Sequence, residues 1–218
     1  FHFFRHPLIQ DAPFFGIVQY IPQLAFVEWK AFFSFRHKIE QRILRGKGVF
    51  SMDLSRYQAE GPYPEMENRC PNPKALAMLY PLYAGAASEL SAIHQYTYQR
   101  LLCCPDEVTE TLGGIAAVEM HHLMMLGRLI RSFGGDPRFC QPSRRRWWDG
   151  GMVCYENRLC KLLLKDLSDE HNAVTAYLYT AQRIGHPCAA ALLRRIAKDE
   201  EHHIILLTKL INQFCRKG

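Results

Sequence analysis

After residue 52 the apolar positions fall into four long stretches of helical spacing. In the second stretch Ile115, Val118, His122, Met125 and Leu126 line one face, and in the fourth Leu192, Ile196, His203, Leu206 and Leu210 do the same. Proline and glycine set the limits. The first stretch runs from about Pro73 or Pro81 to Leu102, with Pro81 standing either near its first turn or at a kink. Cys103-Cys104-Pro105 separates it from the second, about Asp106 to Phe133, which stops at Gly134-Gly135-Asp136-Pro137. The third runs from about Met152 to Arg183, and Gly185-His186-Pro187 divides it from the fourth, about Pro187 to Phe214. Residues 52–72, with Gly61-Pro62, Pro64 and Pro71, read as an irregular lead-in. Short links make antiparallel hairpins, and the long link over residues 134–151 can cross the length of a bundle. The pattern predicts an all-α, antiparallel four-helix bundle with one long crossover between helices two and three.

Composition splits the chain at the start of this region. Ten of the thirteen Phe lie in residues 1–51, with seven Lys/Arg against three Asp/Glu, whereas all eight Cys come later. The first segment has no sustained period and no signal-peptide architecture. One reading is an interfacial or partner-binding arm, since Phe with basic residues suits membrane surfaces. The other starts from Gly46-Lys47-Gly48-Val49, which back-translates to codons compatible with a purine-rich run shortly before the codon of Met52. That resembles a bacterial ribosome-binding site and start codon read in frame. The expectation is that residues 1–51 are a non-native or disordered extension, that the protein proper starts at Met52, and that residues 52–218 form the bundle domain. No apolar run approaches the roughly 18 residues of a membrane-spanning helix. A net charge of +6 is too small to imply nucleic acid.

The chemistry lies in a repeat of 81 residues: Glu89, Ala92, Tyr96 and Tyr98 align with Glu170, Ala173, Tyr177 and Tyr179. The same shift places Glu119-Met120-His121-His122 on Glu200-Glu201-His202-His203. Each half therefore holds one Glu and, thirty residues later, a Glu-x-x-His. The midpoint of Glu89 and Glu119 is residue 104, and that of Glu170 and Glu200 is residue 185, so both fall in the predicted turns. Residues equidistant from a hairpin turn share a height, which puts all four Glu in one layer, roughly 20 Å from the turns at 1.5 Å per residue. The i, i+3 spacing turns His122 and His203 the same way as Glu119 and Glu200. Four buried carboxylates in one layer would repel. Two divalent cations cancel that charge, and oxygen-rich ligation with one imidazole each suits iron or manganese.

With these residues the chain resembles the ferritin-like superfamily, in the style of rubrerythrin and bacterioferritin di-iron domains, over about residues 80–214. The resemblance implies two iron ions (or two manganese ions), with Glu89 and Glu170 as terminal ligands, Glu119 and Glu200 as bridges, and His122 and His203 as one ligand each. It also implies that Tyr96, and Tyr177 as its repeat partner, stand beside the metals; packing of the core is their other reading. The activity implied is an oxidoreductase that reacts with hydrogen peroxide or dioxygen and is restored by an external electron donor. Iron storage in an assembled shell and manganese catalase-like peroxide disproportionation are the alternatives. A homo-oligomer of dimer size or larger, in the cytoplasm, goes with this reading.

There are departures from the pattern. No Cys-x-x-Cys occurs, so a rubredoxin-type electron-transfer module is absent from the sequence, and no clear short fifth helix follows the bundle. Asp199 and Glu201, four and two residues before His203, are candidates for a base behind the metals or an alternative ligand. His94, His121, His171 and His202 read as outer-layer or surface groups. The cysteines show no zinc spacing, and most are expected to be reduced and at least half-buried. Arg144-Arg145-Arg146-Trp147-Trp148 in the crossover reads as a solvated basic strip, with Trp anchoring the loop on the bundle.

Overall fold

A computed structural model describes residues 53–65, 70–102, 104–142 and 145–215. The expectations for residues 1–51, Cys103 and Arg144 fall outside them. The described residues hold five helices, α1 (Pro73–Ala84), α2 (Glu89–Arg100), α3 (Asp106–Ser132), α4 (Leu159–Arg183) and α5 (Pro187–Phe214), and the last four make the bundle. α2 packs chiefly on α3 and α4 chiefly on α5, so two hairpins face each other, and α1 lies against α2 and α3.

The predicted first helix is two helices. α1 starts at Pro73, where proline's missing N–H costs nothing, and Asn72 caps it by accepting from the Ala75 N–H at 3.0 Å. Pro81 sits inside α1. The helix stops at Gly85, whose carbonyl accepts from the hydroxyls of Ser88 at 2.7 Å and Ser91 at 2.8 Å. Ser88 then caps α2, accepting from the Ser91 N–H. Polar side chains that bond the backbone locally compete with helix, and here they open residues 85–88.

The crossover also differs from its prediction. It carries a short antiparallel ladder of β1 (Cys140–Gln141) and β2 (Arg146–Trp147), then a 3-10 turn at Gly150–Met152. α4 begins seven residues after Met152, behind Glu156, whose carboxylate accepts from the Asn157 and Arg158 N–H groups. Of the two tryptophans only Trp148 is an anchor: its indole donates to Ser91 Oγ at 2.9 Å and its ring lies 4.5 Å from that of His94. Trp147 is 62% exposed.

The core is two apolar clusters rather than one. The first gathers Leu79, Leu126, Ile130, Phe133, Leu193 and Ile196, and the second gathers Val108, Leu112, Ile115, Leu162, Leu163 and Leu207. Along α3 the break between them falls between Ala116 and Leu123, and along α5 between Ala197 and Leu207. Both gaps are where the Glu-x-x-His motifs stand. The lead-in is laid on the bundle by Tyr57, which sits so close to Gly114 that a Cβ there would come within 2.4 Å of its ring. Cys160 and Cys215 form a disulfide that joins the start of α4 to the residue after α5, a pairing their spacing did not suggest. Cys70 is exposed, while Cys104, Cys140, Cys154 and Cys188 are half-buried. No described helix is long and apolar enough to cross a membrane.

Candidate metal centre

The layer predicted from the hairpin midpoints exists. Glu89 on α2, Glu119 and His122 on α3, Glu170 on α4, and Glu200 and His203 on α5 converge at the middle of the bundle, each no more than 4% exposed. Ligand atoms of Glu89, Glu119, His122 and Glu200 lie within 4.8 Å of one another, and so do those of Glu119, Glu170, Glu200 and His203. The two sets share Glu119 and Glu200. Those are the two carboxylates that the repeat placed next to the histidines.

The imidazoles are oriented alike. His122 Nδ1 lies 3.0 Å from Glu119 Oε2, 3.2 Å from Glu200 Oε1 and 3.7 Å from Glu89 Oε2. His203 Nδ1 lies 3.0 Å from Glu200 Oε2, 3.1 Å from Glu119 Oε1 and 3.7 Å from Glu170 Oε1. In both cases Nδ1 faces the carboxylates and Nε2 faces away. The donor set tests well against a metal pair. It offers four carboxylates and two imidazoles with no thiolate, a combination that fits iron or manganese.

Without cations this cluster balances its charge with protons. Burial drives the Glu89 and Glu170 carboxyls well above the usual range; the neighbouring Glu119 charge adds to it at Glu89. At Glu119 burial is outweighed by hydrogen bonds from Glu89, His122 and His203, which hold it well below the usual range. Burial disfavours the charged imidazoles. The charge of Glu200 at His122 and of Glu170 at His203, with the hydrogen bonds around each, overturns it and raises both well above the ordinary value. Metal ligation requires these groups to be deprotonated, and a lower pH strengthens the protons' hold. Adding Mn(II), or Fe(II) without air, to the metal-free chain in weak buffer near neutrality is therefore expected to acidify the solution, with apparent affinity falling as pH falls. Binding that is independent of pH, with no proton release, would contradict this description of the cluster.

The two halves differ behind the histidines. His122 Nε2 meets Asp199 Oδ2 at 3.0 Å, across from the other hairpin. Asp199 also accepts from the Tyr63 hydroxyl at 2.7 Å, the Ala59 N–H at 2.7 Å and Arg195 Nη1 at 2.6 Å. Burial would raise this carboxyl, but His122, Arg195 and Tyr63 together lower it to about 2. Asp199 thus serves His122, not the His203 that follows it on the same helix. In the repeat its counterpart is Val118, and His203 Nε2 has no hydrogen-bond partner among the described residues. Tyr63 and Arg195 went unnoticed in the sequence: one lies in the irregular lead-in, and the other reads as an ordinary helix-surface base. Arg195 is nevertheless buried, and it donates to the carbonyls of Ala59 and Gly61 while lying 4.3 Å from the Tyr63 ring.

The tyrosines differ too. The Tyr96 hydroxyl donates a hydrogen bond to Glu170 Oε1, whereas the Tyr177 hydroxyl is buried with no hydrogen-bond partner among the described residues. His121 stacks edge-on against Tyr63 and His202 bonds the Arg56 carbonyl, so neither reaches the centre. His94, His171 and Glu201 are exposed. A buried carboxyl absent from the prediction, Asp166, stands one turn before Glu170, accepts from Gln95 and Gln99, and is pushed up by burial to about 7.

Comparison with known proteins agrees with this fold. The family described as manganese containing catalase matches residues 63–143, which hold Glu89, Glu119 and His122. The manganese catalase KatB from Anabaena PCC7120 shares the fold at 21% identity, with 71% of this chain and 79% of that one covered and a TM-score of 0.64. A dodecameric thioferritin, the bacterioferritin-related protein of Bacteroides fragilis, is similar at 20% identity over 66% of this chain and 89% of its own, with a TM-score of 0.54. The Desulfovibrio desulfuricans bacterioferritin, which has a diiron site, is similar at 24% identity over 66% and 82%, with a TM-score of 0.54. No curated protein sequence matches the chain.

Proposed function

We propose that this chain, a ferritin-like four-helix bundle with a two-metal carboxylate site, is an oxidoreductase that reacts with hydrogen peroxide or dioxygen. The observation that carries this is the pair of donor sets that share Glu119 and Glu200 while each adds one Glu and one His of its own. Glu119 and Glu200 would span the two ions; Glu89 with His122, and Glu170 with His203, would complete one side each. A bound pair would supply two coupled one-electron steps, so that peroxide is turned over without releasing radicals. The protein's part is to hold its ligands. Asp199 fixes the His122 ring with Nδ1 toward the carboxylates, and the Tyr96 O–H pins one oxygen of Glu170.

A second reading, manganese-dependent peroxide disproportionation, is favoured by the match over residues 63–143 to the manganese containing catalase family. An external electron donor is needed only under the first reading. A homo-oligomer and a cytoplasmic location fit both. The discriminating experiment loads the chain with Fe(II) or Mn(II) and adds peroxide while dioxygen is recorded. Disproportionation yields one dioxygen for every two peroxides and needs no reductant. A peroxidase consumes peroxide only while a reductant is supplied and evolves no dioxygen. If neither loaded form consumes peroxide or dioxygen faster than the free ion, the proposal is wrong.

A further inference from the structure

A cavity of about 360 Å³ lies between α2 and α4 and ends on Glu89, Glu119, Glu170 and Glu200. Small side chains make it. Ala92 on α2 is the repeat counterpart of Ala173 on α4; Ala176 stands one turn further on, and Ala86 and Ala87 line the break between α1 and α2. Facing positions in a bundle are ordinarily filled by large aliphatic groups, because interiors pack with few voids larger than a water molecule. A water's share of liquid volume is about 30 Å³. Peroxide and dioxygen, with two heavy atoms each, need only a small part of this space. The volume instead falls in the range of small-molecule pockets, about 300–1,000 Å³.

The walls indicate what would fill it. Leu82, Ala86, Ala92, Val153, Ala173 and Ala176 present an apolar surface. Lys165 and Asp169, the part-exposed charged pair of the lining, are ion-paired with each other, so they offer a ligand no net charge. Tyr177, which lines the same cavity as the four carboxylates, has a buried hydroxyl with no hydrogen-bond partner among the described residues. We infer that the cavity binds a second substrate, an uncharged organic molecule with an apolar body of medium chain length and an oxygen at the end that approaches Tyr177 and the carboxylate layer. Its role as a substrate rests on the reading of the layer as a two-metal oxidoreductase centre; its binding does not.

The test uses the full chain, both metal-free and metal-loaded, with the straight-chain alcohols from butanol to decanol as probes in calorimetry. Expected is saturable binding of one alcohol per chain, tightening with chain length up to about octanol. Ala173→Leu combined with Ala176→Leu should weaken octanol binding at least ten-fold while leaving helicity and metal stoichiometry unchanged. Ala92→Leu, from the opposite wall, does the same should the first variant fold poorly. Absence of saturable binding by any of the alcohols, or equal octanol affinity in a folded, filled variant, overturns the inference. A chain that binds octanol but no metal pair would contradict the proposed function and leave the cavity's ligand class standing. A chain that binds two metals and no alcohol would do the reverse.

Discussion

Glu119→Ala and Glu200→Ala, made together, are expected to abolish binding of both metal ions and leave the helices in place. These two residues belong to both donor sets, and each lies 3.0–3.2 Å from both imidazoles. Removing them leaves each position with one carboxylate and one imidazole and nothing in common. Substituting even groups that only support ligands costs about 10–100-fold in metal affinity, so losing the shared ligands themselves costs more than that at each position. The fold survives because the layer is flanked by two apolar clusters that do not depend on it. His122 loses the charge of Glu200 but keeps Asp199, and His203 keeps the charge of Glu170. Metal analysis after gel filtration and far-UV circular dichroism provide the check. A helical double variant that still holds two ions per chain would remove both residues from the bridging role.

Asp199→Ala is expected to damage stability and metal binding together, and metal binding on one side only. The substitution deprives the buried Arg195 guanidinium of its carboxylate and leaves the Tyr63 hydroxyl and the Ala59 N–H without their acceptor. Breaking a buried ion pair by removing one partner costs about 3–5 kcal/mol. It also frees the His122 ring to turn, which lowers affinity at the position His122 serves by about 10–100-fold. The position served by His203, which has no such support, is spared. Urea unfolding of the metal-free chain reads the first effect. A stepwise Mn(II) titration reads the second, as one weakened and one unchanged phase. A loss of under about 1 kcal/mol, or an equal loss in both phases, would show that the Asp199 network does not hold His122 in place.

Glu-x-x-His fixes a shared helix face, and the hairpin midpoints fix a shared height, so Glu89, Glu119, Glu170 and Glu200 could be placed together before any packing was known. Both rules concern residues on one helix or one hairpin. Asp199 and His122 meet across the two hairpins, 77 residues apart, and no local period registers that contact. The place of Asp199 four residues before His203 gave no sign that it meets His122. The break between α1 and α2 was hidden for a different reason. Ala84, Ala86 and Ala87 are good helix formers, and the hydroxyls that end α1 act through a backbone carbonyl. The same small residues, read as helix, gave no hint of the cavity they leave.

Anomalous diffraction from crystals of the chain loaded with Mn(II), or with Fe(II) under anaerobic conditions, tests the central claim most directly. The account predicts two peaks about 3.5–4 Å apart, with Glu119 and Glu200 each touching both, Glu89 and His122 on one, and Glu170 and His203 on the other. A single peak, or peaks elsewhere with the layer empty, would contradict it.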